Sequence, residues 1–253
     1  MNPLLTLEHV GFAYHQAEGE TPALSDISFT LEAGHFLAIV GPSGCGKSTL
    51  LSLISGLLLP EEGRILLHGL PVREARANIG YMLQRDHLFE WRTVYTNVLL
   101  GLEIQHQKTP EKLQKVDHML DSYGLSGFRN ARPSQLSGGM RQRAALIRTL
   151  EPDLLLLDEP FSALDYQTRL TVCDDIYEII KKEEKTAILV THDLSEAISM
   201  ADEVLVLSAR PGRIRKRVSV KFDLTNRTPM RSRSAPEFKD YFNTIWKELN
   251  DHA

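Results

Sequence analysis

The sequence predicts an α/β fold built on a mainly parallel sheet, and two observations carry that expectation. Short apolar runs suited to buried strands alternate with helical stretches along most of the 253 residues, the pattern of a sheet covered on both faces. One such run, Phe36-Leu37-Ala38-Ile39-Val40, leads directly into the glycine-rich stretch GPSGCGKST at 41–49, after which apolar residues recur at helical spacing.

Taken in order, apolar residues alternate at Leu5 and Leu7 and again at Ile27, Phe29 and Leu31, which reads as half-buried strands. Leu50, Leu51, Leu53, Ile54 and Leu57 predict a helix after the glycine-rich loop, and 63–68 and 79–83 return to strand character. From 93 to 150 the signal is helical, with one polar helix starting near Pro110 and another near Gly138. That stretch interrupts the alternation and reads as a subdomain inserted into the α/β core. Strands at 154–157, 187–190 and 204–207 then alternate with helices at 166–185 and 194–201. The basic stretch 210–217 reads as a turn feeding a solvated edge strand. In the tail, Phe238, Tyr241, Phe242, Ile245, Trp246 and Leu249 form one helical stripe that packs on its own domain, with Ser234 as its cap and Pro236 in its first turn.

A hydrophobic content of 42% is ample for a core, and a net charge of −4 gives no global bias toward nucleic acid or an anionic membrane. Two cysteines, Cys45 and Cys173, imply no disulfide framework and fit a reducing compartment. The amino terminus does not read as a secretion signal, and the most apolar stretches fall short of the ~20 residues of a membrane-spanning helix. Service at a membrane would go through partners.

Gly41, Gly46, Lys47 and Ser48 fit the phosphate-loop pattern in its required context, a strand before and a helix after. Backbone N–H groups of such a loop curl around a polyphosphate, Lys47 neutralises phosphate charge, and Ser48 offers its hydroxyl to Mg²⁺. Pro42, Ser43, Gly44, Cys45 and Thr49 complete the nucleotide-binding stretch. The apolar run 154–157 delivers Asp158 and Glu159 to its carboxyl end, where open α/β sheets place ligands: Asp158 is suited to hold Mg²⁺ and Glu159 to act as general base on water. Gln84 ends a strand, and its amide could reach Mg²⁺ and the attacking water. His192 follows another strand at the same sheet edge, within range of the γ-phosphate.

The segment Leu136-Ser137-Gly138-Gly139-Met140-Arg141-Gln142-Arg143 resembles the signature sequence of ATP-binding-cassette (ABC) ATPases. The resemblance covers roughly 4–207 and implies further roles: Tyr14 stacks on adenine, Gln84 is the Q-loop glutamine, Ser162-Ala163-Leu164-Asp165 is the D-loop and His192 the switch histidine. It implies an ABC ATPase fold, with a phosphate-loop core and antiparallel β-subdomain over 1–84 and 151–221, an inserted helical subdomain over 85–150 and a tail over 222–253. Only one phosphate loop is present, so Ser137, Gly138 and Gly139 would face ATP bound by a second copy, sandwiching two ATP molecules between head-to-tail subunits.

The implied function is the ATPase subunit of an importer on the cytoplasmic face of the cell membrane. Its partners would be a second copy, membrane permease subunits met through 86–94, above all Phe89 and Trp91, and indirectly a solute-binding protein, with no nucleic acid. Ser208-Ala209-Arg210-Pro211-Gly212-Arg213-Ile214 resembles the nitrate, sulfonate and taurine uptake group, some of whose relatives import pyrimidine precursors. An exporter or lipoprotein-release ATPase is the alternative. A linker of only Glu151-Pro152-Asp153, shorter than in many relatives, implies that the signature helix ends differently.

Overall fold

The computed structural model describes residues 3–17 and 19–250. Two sheets organise it. An antiparallel sheet, in the order β2-β1-β4-β5, is built from β1 (Leu5–Gln16), β2 (Gly19–Leu31), β4 (Glu62–Leu67) and the two-residue β5 (Leu70–Pro71). The second sheet has the order β10-β9-β3-β8-β7-β6 and contains β3 (Phe36–Val40), β6 (Ile79–Met82), β7 (Leu154–Asp158), β8 (Thr186–Val190), β9 (Glu203–Leu207) and β10 (Ile214–Ser219). Its pairings are parallel except that of the edge strand β10 with β9. The central strands β3 and β8 are buried at every position, as expected of strands covered on both faces.

Helix α1 (Lys47–Ile54) follows β3. Between β6 and β7 lie α2 (Val94–Val98), α3 (Leu100–Ile104), α4 (Pro110–Ser122) and α5 (Gly138–Thr149). α6 (Tyr166–Lys182) and α7 (Leu194–Met200) connect β7, β8 and β9, and α8 (Pro229–Ser234) and α9 (Glu237–Asn250) close the chain.

Several element boundaries depart from the sequence reading. The first strands are longer than their alternating residues suggest, because register shifts interrupt the β1–β2 ladder and His9 (φ 49°) breaks the two-residue period there. Helix α1 stops before Leu57, which is exposed beyond the left-handed Gly56. Helix α6 ends at Lys182 and not 185: Glu184 takes φ 52°, and the Lys185 N–H closes back on the Ile180 carbonyl. Ser234 does not cap the tail helix; it is the last residue of α8, whose own cap is Thr228, accepting from the Arg231 N–H at 3.3 Å. On α9 the stripe packs inward at Ile245, fully buried, while Trp246 remains 55% exposed.

The end of α5 packs tightly onto β6. A side chain at Gly80 would place its Cβ 2.3 Å from the Thr149 carbonyl oxygen, so that approach requires glycine.

Candidate active site

The parallel pairing points the carboxyl ends of β3, β8, β7 and β6 to one edge, and the residues just beyond them converge. After β3, Gly44 (φ 75°) and Gly46 (φ 101°) adopt the left-handed backbone that turns 41–46 into a loop opening on α1. Lys47 folds back along this loop, its Nζ donating to the carbonyls of Gly41 at 2.8 Å and Pro42 at 3.0 Å. Cys45 is buried beneath, and burial pushes its thiol pKa up, so it is an unreactive packing group.

Asp158, at the end of β7, accepts from Ser48 Oγ at 3.3 Å and from the Tyr81 hydroxyl at 3.3 Å. Burial raises its pKa and the neighbouring Glu159 charge adds to that, while the two hydrogen bonds oppose it. Burial, with the Asp158 charge second, likewise raises the Tyr81 phenol. Glu159 holds φ 45°, a costly backbone for a glutamate, pinned by its N–H donating to the Val190 carbonyl at 2.8 Å. That geometry turns its carboxylate toward neighbouring segments: Gln84 Nε2 donates to Glu159 Oε2 at 3.3 Å, and His192 Nδ1 lies 3.2 Å from the same oxygen.

These groups border a cavity of about 550 Å³ lined by Ser43, Gly44, Lys47, Ser48, Thr49, Glu159 and His192, together with Ala23 and Arg210. Tyr14 stands beside it, its hydroxyl 3.1 Å from Thr49 Oγ1 and its ring packed edge-on against Phe12. Ser137 and Gly138 are exposed and do not line this cavity: Ser137 caps α5, accepting from the Met140 N–H at 3.3 Å. Asp165 also lies away from it, as the cap of α6, accepting from the Thr168 N–H at 3.0 Å.

Among the described residues no cluster of three or more His, Cys, Asp or Glu side chains stands ready for a metal. Ser48 and Asp158 nevertheless offer oxygen donors 3.3 Å apart beside the loop, the kind of sparse, hard-ligand set that suits Mg²⁺ shared with phosphates.

Sequence reasoning missed Tyr81, Arg210 and the buried pair behind His192, in which the Thr191 hydroxyl donates to Glu196 at 2.6 Å. A single tyrosine in a strand or arginine in a turn carries no local pattern; only the tertiary approach of β6 to β7, and of 208–212 to the loop, reveals them.

A strand-loop-helix that presents a lysine into a positively lined cavity, with two carboxylates at the end of a second apolar strand one place removed in the same sheet, defines a phosphate-loop nucleotide hydrolase. Comparison with known proteins narrows that class. Residues 24–162 match the ABC transporter family model. The chain is 47% identical, over 97% of its length and 95% of the relative's, to an ABC transporter ATP-binding protein, YtlC, of Bacillus subtilis (strain 168). It is 40% identical over 94% of its length, and 91% of the relative's, to the aliphatic sulfonates import ATP-binding protein SsuB of Bacillus licheniformis. To the taurine import ATP-binding protein TauB of Roseobacter denitrificans it is 38% identical, over 96% of its length and 94% of the relative's. The ATP-binding cassette MJ0796, solved as a post-hydrolysis dimer bound to ADP and Pi, superposes with a TM-score of 0.73 at 28% identity, covering 86% of this chain and 99% of that one. The chain therefore belongs to the ABC transporter family, has the ABC ATPase fold, and is an ATP hydrolase that powers transport.

Proposed function

We propose that the chain is the ATPase subunit of an importer of small solutes of the sulfonate or taurine kind, two copies closing head to tail over two ATP molecules on the cytoplasmic face of the membrane. The solute class follows the import functions named for its relatives. The observation that carries the two-copy reading is the placement of Ser137 and Gly138. They stand exposed at the start of α5, off the Lys47 cavity, so their N–H groups could meet a phosphate only from another subunit.

Each residue then has a chemical task. Lys47 and the N–H groups of 43–49 bind the phosphates, Tyr14 lies against the base, and Ser48, Asp158 and Gln84 would hold Mg²⁺, which when bound neutralises charge on the β- and γ-phosphates. Glu159 takes a proton from water as the water oxygen bonds to the γ-phosphorus; the bond from that phosphorus to the bridging oxygen breaks, leaving ADP and phosphate. His192 donates to the γ-phosphate, and Asp165, on the D-loop, faces the second copy.

No helix among the described residues is long and apolar enough to cross a membrane, so attachment would use a permease. Its contact on this chain is 86–94. There Leu88 is buried in the core, whereas Trp91 is 69% exposed with its ring centroid 4.7 Å from that of Phe89. Solute-binding protein would act one step further away, through the permease.

The test is sedimentation of Glu159→Gln with ATP and Mg²⁺, where a dimer should accumulate, followed by copurification of the chain with the permease expressed beside it. A monomer at saturating nucleotide would sink the two-copy reading.

A further inference from the structure

The turn 208–212, whose end overlaps the stretch 210–217 read from sequence as a turn feeding a solvated edge strand, reaches the nucleotide cavity through Arg210. Its backbone is tied to β2 by two hydrogen bonds, Gly212 N–H to the Ala23 carbonyl at 2.9 Å and Ser25 N–H to the Gly212 carbonyl at 3.0 Å. It also lies directly on the phosphate loop: a Cβ added at Gly212 would stand 2.2 Å from the Cys45 carbonyl oxygen. Two residues earlier, Arg210 borders the cavity alongside Ala23, Ser43 and Gly44. Its Nε donates to the Pro22 carbonyl at 3.2 Å, which fixes the side chain near its head, and among the described residues the guanidinium meets no carboxylate.

A cation held at the rim of a phosphate cavity, its two terminal nitrogens paired with no carboxylate among the described residues, suits a phosphate oxygen pair. The charge balance agrees. Lys47 and Arg210 are the permanent cations lining the cavity, and Glu159 is the one carboxylate among its lining residues.

We propose that Arg210 is a nucleotide-binding residue whose guanidinium pairs with the phosphate chain of ATP from the rim of the cavity, raising affinity without taking part in bond breaking. This rests on the reading of the Lys47 cavity as the ATP site, and deepens it. The residue contributes equally to ATP and ADP retention, because it is anchored on Pro22 and, among the described residues, forms no hydrogen bond or ion pair with Glu159, Gln84 or His192.

The experiment is equilibrium binding of fluorescent ATP and ADP analogues to the full chain and to Arg210→Gln, Arg210→Lys and Lys47→Ala, each at low and high salt. Removing one charge-assisted contact should weaken Arg210→Gln about tenfold for both nucleotides. Arg210→Lys, which keeps the charge and loses the fork, should fall in between, and the defect should shrink as salt rises. In steady state the KM for ATP should rise with kcat nearly unchanged. Wild-type affinity in Arg210→Gln while Lys47→Ala binds poorly would overturn the assignment and leave the ATP site standing. Equal, salt-independent defects in the Gln and Lys variants would also overturn it, since those would report only the lost anchoring to Pro22. Undiminished binding by Lys47→Ala would overturn the cavity reading and the inference together.

Discussion

His192 Nδ1 lies 3.2 Å from Glu159 Oε2, so the segments that follow β8 and β7 meet at a single carboxylate oxygen, which Gln84 also reaches from the end of β6. Three strand ends are thereby tied to the group proposed to accept the proton from water. Glu159→Gln keeps the size and the hydrogen-bonding reach of the side chain and removes its basicity. ATP affinity should be retained while single-turnover hydrolysis falls by about 10²–10⁴, the range for loss of a general base. Near-wild-type turnover would rule out that role.

Behind this site, Arg141 on α5 grips the segment just past Gln84. Its Nε and one terminal nitrogen donate to the two carboxylate oxygens of Asp86, at 2.8 and 3.0 Å, and the same terminal nitrogen reaches Glu90 at 2.8 Å. The Asp86 carboxylate is only 17% exposed, so Arg141→Ala removes its charged partner and leaves it the Leu88 N–H at 2.9 Å. Urea unfolding should show a loss of about 1.5–3 kcal/mol, and Arg141→Lys should recover only part because an ammonium cannot bridge both oxygens.

The buried strands were legible because 36–40, 154–157 and 187–190 are unbroken apolar runs, which only a sheet covered on both faces accommodates. Where the chain bends, the pattern failed: His9 and Glu184 take left-handed backbone that nothing in their residue types announces. Within the site, Lys47, Asp158, Glu159 and His192 could be picked out since each sits at a fixed offset from a strand end. Tyr81, Arg210 and Asn97 could not. Asn97 is fully buried and satisfies the loop before it, accepting from the Phe89 N–H at 2.7 Å and donating to the Phe89 and Thr93 carbonyls at 3.0 Å each. Its role depends on how 86–93 folds back over α2, which no local spacing encodes.

That buried amide makes its own prediction. Asn97→Ala leaves the Phe89 N–H without its partner inside the protein, while the Phe89 carbonyl keeps the Arg92 N–H at 3.0 Å, at a cost of about 1–3 kcal/mol for one stranded group. The loop carrying Phe89 and Trp91 should loosen at the same time, seen as faster amide exchange across 86–93. Exchange unchanged there would mean that Asn97 does not hold the loop.

A pH test is available at Glu196, 3% exposed on α7. Burial raises its pKa, opposed by the Thr191 hydroxyl. A carboxyl whose folded pKa lies above its unfolded one binds more protons in the folded state, so it erodes stability as pH climbs from the unfolded value toward the folded value. Glu196→Gln removes that titration while keeping an acceptor for Thr191. The stability of the variant relative to wild type should therefore improve from pH 4.5 to pH 7.5, as read by denaturant unfolding at each pH. A relative loss over the same interval would reverse the sign and contradict the burial argument.

The contact of Gly212 with the phosphate loop allows a last test, of whether the turn after β9 supports the nucleotide site. Gly212→Ala would drive a methyl group to 2.2 Å from the Cys45 carbonyl oxygen, a distance that forces either the turn or the loop to move. Because the turn is held to β2 on both sides of that point, the loop, with its glycine-rich backbone, should yield first. The expected result is ATP affinity lowered at least tenfold with a stability loss of about 1–3 kcal/mol. Gly127→Ala, where a Cβ meets nothing within 4 Å, should change neither quantity. Should Gly212→Ala bind ATP as the parent does while losing stability, the turn would be a structural clasp on β2 with no hold over the phosphate loop.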